Sequence, residues 1–198
     1  MVVAKGINTV IFDFDGTLFD LAIDWQKLRQ RLGVDESVKL GELFESYVHA
    51  ADPKLDIVRA TELEAVGGRH LERNVVKMLK KLRDQRYNLA IFTRNARKTV
   101  MAALRNTGLK DLYVVGHEDV QRLKPDPEGL RRILGHFKAG SNQAVVVGDT
   151  YHDLVAAHAS GVRCILVKNE KLSYRPEGAD YYINSLSDLP DLCKTLKS

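Results

Sequence analysis

The sequence predicts an α/β chain built on a parallel sheet, with a small all-helical segment inserted near its start. Three observations carry this. Short β-branched apolar runs recur along the chain with helix-patterned segments between them. Each run is apolar almost without a break, as in strands covered by helices on both faces. One interval, from Thr17 to Tyr87, is far longer than a single crossover helix requires.

The expected strands are residues 7–12, 87–92, 112–115, 144–147, 162–167 and 181–183. Helices are expected over 97–107, 128–137 and 152–160, with Gly108 and Gly161 following two of them in the place of a helix-ending glycine. In the long interval, Trp25, Leu28 and Leu32 share one helical face. Apolar sets at Leu40, Leu43, Phe44, Tyr47 and Val48, then at Leu55, Val58 and Leu63, continue the pattern until Gly67-Gly68 ends it. Residues 74–85 resume as an amphipathic helix with Asn74 as N-cap. The chain therefore divides into an α/β core, residues 1–19 and 74–198, and a helical insert, residues 20–73. The alternative is a pair of extra helices packed directly on the sheet.

With 198 residues, 44% hydrophobic and 28% charged, the chain has the composition of a soluble globular protein. Its formal charge of +4 comes without a long run of Lys or Arg, which fits anionic ligands and gives no argument for nucleic acid. Cys164 lies inside an apolar run and reads as a small buried hydrophobe; with Cys193 the only other cysteine, a reducing cytoplasm is expected. Met1–Gly6 is too short for a signal peptide, and no apolar stretch approaches a membrane span. The apolar residues scattered over the insert fit inward packing and subunit contact alike, so oligomeric state is left open.

The chemistry gathers at the ends of the expected strands, where parallel α/β sheets bind their ligands. After the first strand comes Asp13-Phe14-Asp15-Gly16-Thr17. Carboxylates two residues apart on a strand point to the same side, and two anions held that close are costly without a cation. The arrangement implies a Mg²⁺ site with one carboxylate left over for chemistry, Gly16 supplying the tight turn. After Ile91-Phe92 comes Thr93-Arg94-Asn95, a hydroxyl and backbone N–H groups before a helix, which suits a phosphate or a plain N-cap. Lys124 precedes Pro125-Asp126-Pro127, which holds it extended and starts a helix behind it. After Val145-Val146-Val147 come Gly148-Asp149 and, one helical turn on, Asp153. Singly these are turns, caps and solvated charges. Together they alternate with the strands in a fixed order.

With these residues in that order the chain resembles the haloacid dehalogenase (HAD) superfamily of phosphohydrolases. The match runs through Asp13-Phe14-Asp15-Gly16-Thr17-Leu18, Thr93, Lys124-Pro125-Asp126-Pro127 and Gly148-Asp149 with Asp153, and covers nearly the whole chain. The resemblance implies a Rossmann-like parallel sheet core with an inserted helical cap of the first type, and an activity similar to that of phosphoglycolate phosphatases. It implies a Mg²⁺-dependent phosphatase acting on a small phosphorylated metabolite, phosphoglycolate-like or a sugar phosphate, through an aspartyl-phosphate. Asp13 is then the nucleophile and Asp15 the proton shuttle. Asp13, the Asp15 main-chain carbonyl and Asp149 hold Mg²⁺. Thr93, the Arg94 N–H and Lys124 bind phosphate oxygens, and Asp153 positions Lys124 or a water on the metal.

Further comparisons with the superfamily narrow the reaction. Its dehalogenases lack the second acid, here Asp15. Its phosphonatases use a cap lysine, and Lys39 and Lys54 read more simply as a charged helical face. Its sugar-phosphate mutases keep both acids and stand as the alternative, while the intact acids argue against a non-catalytic binding module. Arg94 departs from the Asn or Gly usual at its position; its guanidinium either meets a second anionic group or turns to solvent. Arg59, Glu62, Glu64, Arg69 and His70 are candidates for facing the site from the insert.

Overall fold

The computed structural model of the chain describes residues 6–197, so Met1–Lys5 of the segment judged too short for a leader lie outside it, as does Ser198. The strands are β1 (Thr9–Phe12), β2 (Asn88–Phe92), β3 (Tyr113–Val115), β4 (Ala144–Gly148), β5 (Arg163–Val167) and β6 (Tyr181–Ile183). They form one six-stranded sheet in the order β3-β2-β1-β4-β5-β6, every neighbouring pair parallel. The first strand begins later than its apolar run because the Ile7 and Asn8 N–H groups bond to Leu196 and Gln143 carbonyls at 3.1 and 2.8 Å, outside the ladder.

Alternation sorts the strand side chains between two apolar layers. Val10 and Phe12 of β1, Ile91 of β2 and Val145 and Val147 of β4 enter one layer. Ile11, Ala90, Phe92, Ala144 and Val146 enter the other. Both faces are covered, which is why these strands read as continuous apolar runs. Cys164 and Cys193 are free and buried within these layers.

The helices are α1 (Trp25–Leu32), α2 (Leu40–Ala50), α3 (Leu55–Val66), α4 (Arg73–Asp84), α5 (Arg97–Ala103), α6 (Glu128–Phe137), α7 (Tyr151–Ala159) and α8 (Leu189–Lys197). Gly161 follows the α7 cap Ser160 with φ +67°, the left-handed ending its position predicted. Two expectations need correction. The α4 cap is Glu72, two residues before the expected Asn74, and it makes no side-chain cap bond. α5 stops at Ala103, and the chain continues in turns to Gly108. α8 was not expected; Leu189, Cys193 and Leu196 give it a helical apolar stripe, with Pro190 in its first turn.

α1, α2 and α3 bury an apolar cluster of their own, centred on Leu28, Leu32, Tyr47, Leu55 and Val58. They sit over the carboxyl ends of the strands through three polar ties. Glu62 of α3 accepts from Asn95 Nδ2, the Ala96 N–H and Thr99 Oγ1 at 2.9, 2.9 and 2.8 Å, closing the open N-terminus of α5. Arg94 Nη2 donates to the Gly41 carbonyl of α2 at 3.1 Å. Arg59 Nε of α3 donates to His117 Nε2 at 3.4 Å, beside the Phe44 ring.

α6 crosses β2 at Gly129, where an added Cβ would stand 2.2 Å from Phe92 Cε2. Alanine in place of a helical glycine ordinarily stabilises by about 1 kcal/mol. Here Gly129→Ala is expected to lower stability by about 1–3 kcal/mol through overpacking, read as a lower urea midpoint with an unchanged slope.

Candidate active site

Adjacent strands end level with one another: Phe12 is in register with Ile91 on one side and Val147 on the other. The residues that follow therefore emerge together. The Asp13 N–H still bonds the Val147 carbonyl at 2.8 Å and the Thr93 N–H bonds the Val115 carbonyl at 3.0 Å, so both positions are held by the sheet itself. Asp13, Thr93, Lys124, Asp149 and Asp153 are all buried.

Lys124 is the hub. Its ammonium donates to Asp13 Oδ1 and, at 2.6 Å, to Asp153 Oδ1, and it lies 5.4 Å from the centroid of the Phe92 ring. Burial alone would lower its pKa; the Asp13 and Asp153 carboxylates outweigh this and push it up to about 12, favouring the charged ammonium. Asp153 spends its other oxygen on the Thr150 N–H and hydroxyl at 3.1 and 2.7 Å, capping α7. Burial pushes Asp13 well up, with Asp153 and Asp149 adding to the effect and Lys124 opposing it.

Asp149 Oδ2 accepts from Asn169 Nδ2 at 2.6 Å and Oδ1 from Thr17 Oγ1 at 3.1 Å, yet burial still raises its pKa. Gly16 makes this approach possible: its φ is +83°, and a Cβ there would stand 2.4 Å from Asp149 Oδ2. Asp13, Asp149 and Asp153 each bring an oxygen within 4.8 Å of the others. Three carboxylates and one ammonium leave a formal deficit of two positive charges. A hard divalent cation with oxygen ligands fits that deficit and that donor set.

Asp15 stands at the edge of this group, its Oδ1 accepting the Leu21 N–H at 2.8 Å. Burial pushes its pKa up to about 6, with that hydrogen bond opposing, so it is poised to exchange a proton near neutrality. Thr93 Oγ1 donates to Asn95 Oδ1 at 2.8 Å and accepts the Asn95 N–H at 3.1 Å; it is not the helix cap, which is Ala96. The Arg94 guanidinium does not turn to solvent. Besides Gly41, it meets His152 Nε2 at 3.5 Å, and burial lowers its pKa against the pull of Glu45, Asp13 and Asp153.

Of the five candidates for facing the site, Arg59, Glu62, Glu64, Arg69 and His70, Glu62 alone borders the cavity over Asp13. Arg59 reaches His117 instead, Glu64 pairs with Arg31 and Lys27 outside, and Arg69 lies 5.0 Å from the Phe19 ring beside His70 in a separate groove. Asn169 and His152 were missed. Asn169 is the second residue after β5, where Asp149 is the first after β4, so the strand-end reasoning reaches it when extended by one strand and one residue.

The haloacid dehalogenase-like hydrolase family profile matches residues 24–167. A pyrophosphatase PpaX of Bacillus pumilus is 30% identical, the match spanning 92% of this chain and 94% of that protein. A HAD-superfamily hydrolase of subfamily IA from Geobacter sulfurreducens superposes with TM-score 0.66 at 25% identity, over 96% of this chain and 97% of its own. A predicted phosphoglycolate phosphatase from Haemophilus somnus shares the fold with TM-score 0.69 at 18% identity, over 97% and 99%.

His117, where the insert meets the core, yields a pH dependence. Burial holds its imidazole below the usual value and Arg59 adds to this, while Glu118 and Asp119 oppose. A depressed folded-state pKa gives stability that is complete above the unfolded value of about 6.5 and is lost as pH falls. Between about pH 7 and pH 5, urea denaturation is expected to show a larger loss for the wild-type chain than for His117→Gln.

Proposed function

The chain belongs to the haloacid dehalogenase-like hydrolase family, and from that we propose that it is a Mg²⁺-dependent phosphatase releasing phosphate from a small monoester. The observation that carries this is the buried Lys124 clamp on Asp13 and Asp153, with Asp149 in the same cluster and Asp15 beside it, held by the Leu21 N–H. Asp13 and Asp149 would hold the cation through their carboxylates and Asp15 through its main-chain carbonyl, and the Mg²⁺ so held would offset charge on the acids and the phosphate and polarise the phosphorus.

Asp13 attacks the phosphorus in line and forms the aspartyl-phosphate. The leaving oxygen takes its proton from the Asp15 carboxyl, which then accepts a proton from the water that hydrolyses the intermediate. Lys124 holds the Asp13 carboxylate in place and meets charge spreading onto the phosphate oxygens, together with the Thr93 hydroxyl and the Arg94 N–H. Asp153, with its oxygens engaged by Lys124 and Thr150, acts by fixing Lys124. The three helices of residues 20–73 act as the cap over this floor.

Purified protein with Mg²⁺ is expected to release phosphate from p-nitrophenyl phosphate, and EDTA to stop it. Asp13→Asn should lower the rate by at least about 10³-fold. Silence of the wild-type chain across a broad panel of phosphate esters overturns the proposal; phosphate moved to another carbon of a sugar, without release, selects the mutase instead. Independently of turnover, Mg²⁺ should raise the thermal midpoint of the wild-type chain, and raise it less in Asp149→Asn.

A further inference from the structure

The cavity over Asp13 has a volume of about 310 Å³, and its walls divide by origin. The floor, from the strand ends, is polar: Asp13, Asp15, Thr93, Arg94 and Lys124. The roof, from the insert, is formed largely by Ile23, Leu28, Leu32, Phe44, Tyr47 and Val58. Besides the Tyr47 hydroxyl and the indole N–H of the exposed Trp25, the roof's polar side chains are Thr61 and Glu62, and both of these are already engaged. Thr61 Oγ1 donates to the Ile57 carbonyl at 2.9 Å and accepts from Arg31 Nη1 at 3.0 Å. Glu62 serves the N-terminus of α5 with both oxygens. Arg94, at the boundary, is tied to Gly41 and His152.

A leaving group is recognised by what surrounds it once the phosphate is seated on the floor. A sugar, a glycolate carboxylate or a second phosphate would bring polar groups against a roof that offers hydrocarbon. Each polar group buried without a partner loses its hydration for nothing in return. An apolar group gains from the same surface. An apolar cavity of about 150 Å³ admits a benzene ring, so this space suits a phosphate together with a group on the scale of a phenyl ring or a short alkyl chain. Resting on the phosphatase reading above, we propose that the roof is a leaving-group pocket for phosphate monoesters of apolar alcohols, aromatic or aliphatic.

The test is a series of n-alkyl phosphates from methyl to hexyl with phenyl phosphate, set against 2-phosphoglycolate and pyrophosphate at saturating Mg²⁺. The expected kcat/KM rises about 3- to 4-fold per methylene until the cavity is filled, and phenyl phosphate exceeds 2-phosphoglycolate and pyrophosphate by at least about 10-fold. Leu43 also lines the roof, and Leu43→Asn, which puts an amide there, should lower the phenyl-to-methyl ratio of kcat/KM several-fold. A flat series with measurable turnover, or preference for pyrophosphate or 2-phosphoglycolate, overturns the pocket and leaves the phosphatase reading standing. Binding of methyl-, hexyl- and phenylphosphonate to the wild-type chain, followed by calorimetry, reads the same order without turnover. Tighter binding of the larger phosphonates supports the pocket even where no ester is hydrolysed; equal binding of all three overturns it.

Discussion

A buried ammonium held between two buried carboxylates sets the terms for the rest of the structure. Lys124, Asp13 and Asp153 come from three separate parts of the chain, and none is stable there without the others. Removing an ion from water costs several kcal/mol, recovered only with close and complete pairing. The fold is arranged to supply that pairing. β1 and β4 end in register so that Asp13 and Asp149 emerge side by side. Gly148 leaves room for Asp153, whose Cγ lies 2.4 Å from where a Cβ would stand, and Gly16 leaves room for Asp149. Gly129 lets α6 press on Phe92, whose ring in turn lies close to the Lys124 ammonium. Three glycines that look unrelated in the sequence thus serve one cluster of charges.

The same cluster explains what was legible beforehand. The strands were readable because both faces of the sheet are covered, which leaves an apolar run with little else to confuse it. The acids were readable because a parallel sheet delivers its strand ends to one edge, so the residue after each run is already placed. Asn169 stands one residue further along, behind Lys168 at the end of β5, and the sequence reading stopped short of it, although its amide bonds Asp149 at 2.6 Å. Glu62 is different in kind. Nothing in its local pattern separates it from Glu64 two residues on, yet one is buried at the N-terminus of α5 and the other pairs with Arg31 and Lys27 in solvent. Helix phase and tertiary docking decide between them, and neither is fixed by spacing alone.

Arg94 shows how a side chain can be unreadable while its backbone is not. The main chain at that position is set by the end of β2, whatever residue stands there. The guanidinium, by contrast, reaches a carbonyl of α2 and the imidazole of His152, partners distant in sequence. It therefore belongs to the seating of the insert as much as to the floor. The Glu62 and Arg59 ties do the same work, and all three land beyond β2 or β3. The insert is thereby registered on the half of the sheet that carries Thr93 and Lys124, while the acids of β1 and β4 are registered by the sheet.

That division separates two demands that conflict in a single surface. Phosphoryl transfer needs fixed charges that cannot reorganise, which strand ends in a parallel sheet provide. Choice among leaving groups needs a surface free to vary without disturbing those charges. An apolar roof meets the second demand and reinforces the first. By excluding water and lowering the local dielectric, it strengthens the Lys124 clamp and any interaction with a phosphate on the floor. The hydrocarbon that packs α1, α2 and α3 against one another is continuous with the hydrocarbon that faces the cavity. Residues such as Leu28, Tyr47 and Val58 therefore hold the insert together and wall the cavity at once, so a change to that wall also acts on the packing of the helices that form it.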